Sequence, residues 1–178
     1  VLCKLITVMI NTLHDLYIHQ IKDLRSAEKQ IIDAMPGLIE RAENKDLRNA
    51  LNEHLNESHE QLRRIDTILK NHRLPLESER CEATAGLIKE GEHLMAEMAG
   101  NAIDAGIIAA SQRIEHYEIA AYGTAKEYAE KLDYSDDVKL LDESLDEESE
   151  ADKTLTKIAT GGWFSSGVND TATSTVNN

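Results

Sequence analysis

The chain has 178 residues, enough for one domain of ordinary size that buries a core without disulfide help. Nine glycines and two prolines are too few for the closely spaced turns of a β-sandwich or barrel, and the apolar stock of Leu, Ile and Ala favours helix. A net charge of −14 with no basic block excludes a nucleic-acid surface and disfavours an anionic membrane.

Residues 1–10 are apolar, but a spanning helix needs about 20 residues. No small-residue cleavage site follows, which argues against a signal peptide. Met9 reads as a natural start, with residues 1–8 a vector or start-site artefact, so 1–10 is taken as an extension. The first helix is predicted over about 11–43, with Leu13, Tyr17, Ile21, Leu24, Ile31, Met35 and Leu38 at helical spacing. Pro36 lies inside it and predicts a kink. The second, about 45–72, carries Leu47, Leu51, Ile65, Ile68 and Leu69, and Arg73-Leu74-Pro75-Leu76 breaks the pattern. A short helix over about 83–99 follows, with Leu87, Leu94 and Met98, and ends at Gly100-Asn101. A third long helix, about 103–132, has Ile103, Ile107, Ala110, Ile114, Tyr117, Ala121 and Tyr128 on one face. A fourth, about 135–160, has Val138, Leu141, Leu145, Leu155 and Ala159, and Gly161-Gly162 stops it. The Ser/Thr/Asn-rich stretch 161–178 has no period and is predicted to be a disordered tail. Cys3 and Cys81 have no redox or zinc spacing, so a reducing cytoplasm is the default location.

Short connections join the first long helix to the second and the third to the fourth, which makes each pair antiparallel neighbours. Roughly 30 residues separate the two pairs. The fold class is therefore all-α: a ferritin-like four-helix bundle, residues 11–160, whose long crossover carries a short fifth helix. An up-down bundle with an inserted helix fits the loop lengths nearly as well.

The informative residues are acids where apolar side chains belong. At 100° per residue, Glu28 falls at the centre of the first helix's stripe, flanked by Leu24 and Ile31 on one side and Ile21 and Ile32 on the other. On the last helix, Leu141, Leu145, Glu148, Asp152, Leu155 and Ala159 follow a 4-3-4-3-4 seam with acids at two positions, and Glu147 lies at its edge. Glu118 is inside the arc of the third long helix and Glu115 at its margin, two carboxylates one turn apart. The second helix offers His54, Ser58 and Gln61 within its arc and Glu57 at the edge. Each acid has a plainer reading as a solvated side chain near a stripe, and His54 one as a hydrogen-bonded core residue. Together they are harder to dismiss. Burying several carboxylates from four helices is prohibitive without cations. Lys29, Arg25, Lys126 and Lys153 fall on outer arcs. Protonation would neutralise one or two acids, and two divalent metals would neutralise the set. Carboxylates with few His suit iron or manganese better than a thiolate-type zinc site.

The segments SAEKQI (26–31), HLNESHEQLRRID (54–66), IEHYEIAAYGT (114–124) and LLDESLDEESEAD (140–152) resemble the YciE/YciF family of bacterial ferritin-like proteins. The resemblance covers about 11–160 and implies a ferritin-like bundle, a homodimer, and an association with general stress response, with no defined activity. It implies a metal set of Glu28, His54, Glu57, Glu115, Glu118 and Glu148, with Glu147 as the alternative to Glu148. Ferritins and rubrerythrins use Glu-x-x-His, and here Glu60 and Ala151 stand where those histidines would be. The expected function is thus a stress-response protein with a carboxylate-rich dinuclear site, two iron or manganese ions, and oxygen or peroxide chemistry, with Tyr117 or Tyr122 beside it. The alternative is a structural or interaction protein that kept the bundle and lost the chemistry. Catalytic residues and the question of enzyme activity stay open. A homodimer is expected also because Leu87, Leu94 and Met98, and then Ile88 and Met95, give the short helix two apolar sides.

Overall fold

The computed structural model describes residues 9–162 and 165–173. Five helices dominate: α1 (Leu13–Arg41), α2 (Lys45–Asn71), α3 (Glu82–Glu97), α4 (Ala102–Lys131) and α5 (Ser135–Thr160). Helices α1 and α2 pair, as do α4 and α5, and α1 against α4 with α2 against α5 closes a four-helix bundle. Helix α3 rides in the crossover between the pairs and lies on α4 and α1. This is the all-α bundle expected, with every long helix within a few residues of its predicted bounds. Helix α1 continues through Pro36 to Arg41.

Local chemistry explains the ends. Thr12 caps α1: its hydroxyl accepts from the Asp15 amide at 3.1 Å while the Asp15 carboxylate accepts from the Thr12 amide at 3.0 Å. Asn44 caps α2 through the amides of Asp46 and Leu47. Asp104, in the first turn of α4, accepts from the amides of Glu43 and Asn44 at 2.8 Å each, which ties the α1–α2 turn to the far hairpin. Helices α2 and α4 end alike. Arg73 and Asp133 take positive φ (56° and 59°), and the next amide, Leu74 or Tyr134, donates back to Leu69 or Ala129 at 2.9 Å. That is the Schellman closure.

The core is divided. One apolar cluster contains Ile31, Met35, Leu47, Leu51, Ile107, Ile114 and Leu155. The other contains Tyr17, Ile21, Leu24, Ile65, Ala121, Tyr122 and Leu141. Each bundle helix contributes to both, and each interrupts its stripe between them: Glu28 on α1, His54 to Gln61 on α2, Glu115 and Glu118 on α4, Glu148 on α5. A polar layer crosses the bundle at one level.

One expectation is corrected. The stretch 161–178, predicted to be disordered, instead carries a small hairpin, β1 (Gly161–Gly162) with β2 (Ser165–Ser166), and a one-turn-and-a-half helix α6 (Val168–Thr173) among its described residues. Val168 is buried against α4 and α5, and a Cβ on Gly167 would overlap the backbone of Ala159 to Gly161, so the glycine permits the close approach. Residues 174–178 and 1–8 lie outside the described residues. Helix α3 packs on α4 and α1 within the chain. Met95 is buried and Leu87, Ile88, Leu94 and Met98 are half-buried within the chain, with Gly91 set close to Ala110 of α4.

Candidate metal centre

The polar layer brings His54, Glu115, Glu118 and Glu148 together so that one donor atom of each lies within 4.8 Å of the others. All four are buried: His54 is 4% exposed, Glu115 2%, and Glu118 and Glu148 0%. The His54 Nε2 stands 3.6 Å from Glu115 Oε1 and 4.0 Å from Glu118 Oε2, too far for a hydrogen bond to either. Glu28 is also fully buried, and its charge bears on Glu118. The heptad of α2 places His54, Ser58 and Gln61 on the inward face, and the i, i+3 step of α4 stacks Glu115 and Glu118 over one turn.

Neighbouring groups hold one oxygen of two of these carboxylates and leave the other free. The Tyr122 hydroxyl donates to Glu28 Oε1, and the Gln61 amide donates to Glu148 Oε1. Glu28 Oε2, Glu148 Oε2, both Glu118 oxygens, Glu115 Oε2 and both His54 nitrogens meet no donor or acceptor when the acids are ionised. Burial, followed by the Glu148 charge, pushes the carboxyls of Glu28, Glu115 and Glu118 well above the usual range. Protons on the raised carboxyls of Glu28, Glu115 and Glu118 would substitute for cations. The donor set, one imidazole and four carboxylates with several unpaired buried atoms, fits hard to borderline divalent ions. This buried cluster of His and Glu residues can hold a metal ion.

The predicted residues do not all meet. Glu57 is half-buried and stands apart from the four clustered donors, beside a cavity of about 270 Å³ that also touches His54, Glu115, Glu53, Glu150 and Ala151. Burial and the neighbouring charge of Glu147 raise its carboxyl to about 7. Glu147 lies at the edge of the layer: Gln61 donates to it at 3.1 Å, and Arg64 grips it with two hydrogen bonds of 2.6 and 2.8 Å. Between the two candidates on α5, Glu148 is the inward one, as the projection favours. Asp152, the other seam acid, is half-buried and accepts from Gln112 at 2.9 Å outside the cluster. Tyr122 contacts the layer, whereas Tyr117 donates to Asp23 at 2.6 Å and lies 3.0 Å from the Cys81 sulfur.

Sequence reasoning missed Arg64. Its position at the edge of the α2 arc, three residues after Gln61, was the available signal, and its guanidinium reaches Glu147 across the α2–α5 interface. It also missed a second polar knot at the bundle end. There Asp137, 4% exposed, accepts from the Tyr17 hydroxyl at 2.8 Å and lies 2.7 Å from His72 Nε2.

A carboxylate-lined helical bundle of the ferritin-like kind is the class that fold and site define. Within it, the chain belongs to the family described as domain of unknown function DUF892, which matches residues 12–172. It is 41% identical to the protein YciF of Escherichia coli strain K12 over 150 residues, 83% of this chain and 90% of the relative. The solved structure of the E. coli stress protein YciF superposes with a TM-score of 0.79 at 39% identity, covering 83% of this chain and 94% of that one. The structure of YcfI from Rhodopseudomonas palustris, described as a candidate structural protein, gives 0.83 at 40% identity, over 86% of this chain and 98% of that one. No helix among the described residues is long and apolar enough to cross a membrane.

Proposed function

We propose that this chain is a stress-response protein whose bundle core binds two divalent metal ions, iron or manganese, through Glu28, His54, Glu115, Glu118 and Glu148. One observation carries the reading. Four carboxylates and an imidazole from four helices lie buried at one level with unpaired donor atoms and no basic side chain among them. Four negative charges match two divalent cations, and apolar walls on both sides would strengthen the attraction. Redox-active ions there would supply electron exchange with oxygen or peroxide. The protein's own part is positioning. Tyr122 fixes Glu28 and Gln61 fixes Glu148, each with one oxygen left for a cation. Arg64 pairs with Glu147 at the edge of the layer, so its positive charge neutralises that acid rather than the core. The deciding measurement is metal content after anaerobic loading and removal of free ions. About two ions per chain are expected, and fewer than about 0.2 per chain would overturn the reading.

A second reading keeps the bundle without the chemistry. It is favoured by Ala151 and Glu60 at the two positions where ferritins carry histidine, and by the description of YcfI. It predicts a melting temperature indifferent to iron and manganese, because a ligand of the folded state must shift stability by mass action. We further propose that the protein works as a cytoplasmic homodimer, as the family resemblance implies. Sedimentation equilibrium should return twice the 19.9 kDa chain mass, and a monomer at micromolar concentration overturns this.

A further inference from the structure

The cavity of about 270 Å³ beside α2 and α5 belongs to no hydrogen-bonding or packing role described above. Its lining changes character from outside to inside. Glu53 and Glu150 are exposed, Glu57 is half-buried, and His54 and Glu115 are buried at 4% and 2% exposure. The buried pair is unpartnered: both His54 nitrogens and Glu115 Oε2 lack a hydrogen-bond partner. Ala151, one turn on from Glu148, also lines the space, and its methyl leaves open what a larger side chain would fill. Ala50 and Thr154 also line it with small side chains. The lining includes no lysine or arginine; Lys153, next to it, reaches Glu150 at 3.4 Å on the exposed surface.

We propose that this cavity is the uptake path for divalent cations into the bundle core, with Glu53 and Glu150 collecting the ion at the mouth, Glu57 passing it inward, and His54 and Glu115 receiving it. The inference rests on the metal-binding reading of the core and adds to it a route and a division of labour. A cluster of like charge around a narrow opening with apolar walls concentrates counter-ions and speeds their arrival. The His54 nitrogens and Glu115 Oε2 beyond it have no hydrogen-bond partner, so the ion gains donors at each step inward. Glu57 becomes a staging residue, which accounts for its place beside the cavity rather than among the four clustered donors.

The test is stopped-flow uptake of cobalt(II) chloride by the metal-free full chain, followed by the visible absorption of the bound ion. Two variants address the two parts of the path. The double variant Glu53→Gln, Glu150→Gln removes mouth charge at constant shape. Ala151→Leu narrows the passage. The double variant should take up cobalt roughly threefold more slowly at low ionic strength, with a weaker salt dependence than wild type. The Ala151→Leu chain should be slower at every salt concentration. Both should reach the wild-type end-point stoichiometry. Wild-type rates in both variants would overturn the path while leaving the core site standing. A lower end-point in the double variant would also overturn it, because Glu53 and Glu150 would then be ligands rather than a route. A wild-type chain that binds no cobalt would overturn both the core reading and this one. Circular dichroism checks that Ala151→Leu is folded, and the double variant, altered only at exposed side chains, decides the matter if it is not.

Discussion

Glu28 shows what the polar layer costs and how to measure it. Its carboxyl is fully buried, one oxygen takes the Tyr122 hydroxyl, and the other has no donor. Glu28→Leu alone would complete the apolar stripe but strand the buried Tyr122 hydroxyl, a loss of about 1–3 kcal/mol. The clean variant is therefore Glu28→Leu with Tyr122→Phe. In chelator it should be more stable than wild type by about 1–4 kcal/mol, the gain found when buried polar networks become hydrophobic. In iron or manganese the wild type should gain stability and the double variant should not. Urea unfolding of both chains with and without metal makes the comparison, and a wild type indifferent to metal would remove the dinuclear site from this account. Glu28, His54, Glu118 and Glu148 were legible in the sequence because each helix's own projection puts them inside its apolar arc, whatever the neighbours do. Glu57 and Arg64 were not. Both sit at the edge of the α2 arc, where the partner helix decides: α5 offers Arg64 a carboxylate at Glu147 and offers Glu57 only the small Ala151 and an opening.

At the level of elements, the helices were readable because apolar spacing, caps and breakers agree in each, and loop lengths alone constrain how they pair. The tail was not, because its anchors are one buried apolar residue, Val168, and one glycine whose need appears only when the chain lies against α5. Gly167→Ala should detach that anchor: amide exchange across 165–173 should accelerate while the bundle's protection stays, and unchanged exchange would show that the backbone absorbs the methyl. The ends of α2 and α4 offer a gain. Arg73 and Asp133 occupy the left-handed region that costs an ordinary residue roughly 1–2 kcal/mol, and glycine would avoid it at some expense in unfolded-chain entropy. Arg73→Gly should raise stability by about 0.5–1 kcal/mol and Asp133→Gly by less, since aspartate tolerates that region better. Urea midpoints read both changes, and a fall in either would mean that the side chain contributes more than the turn costs.

For the whole molecule, the layer makes stability, protons and metal a single coupled quantity. The carboxyls of Glu28, Glu115 and Glu118 lie well above their ordinary value in the fold, through burial and then the Glu148 charge, and that of Glu57 is raised to about 7. A carboxyl of this kind binds its proton more tightly folded than unfolded. Its contribution is complete below the unfolded value, near 4.5, and is lost as pH rises through the folded value. The metal-free protein should therefore lose stability between about pH 4.5 and 7 and beyond, the range in which most proteins reach their maximum. Metal reverses the slope, because the same oxygens must be ionised to bind it. Loading should release protons into unbuffered solution, more at pH 6 than at pH 8, as the raised carboxyls of Glu28, Glu115 and Glu118 give up their protons. Denaturant titrations at pH 5, 6, 7 and 8, each with chelator and with manganese, should give curves that diverge as pH rises. If metal-free stability instead climbs with pH across that interval, the buried acids are already neutralised by something other than protons, and the layer would be a polar lock between helices rather than a place for cations.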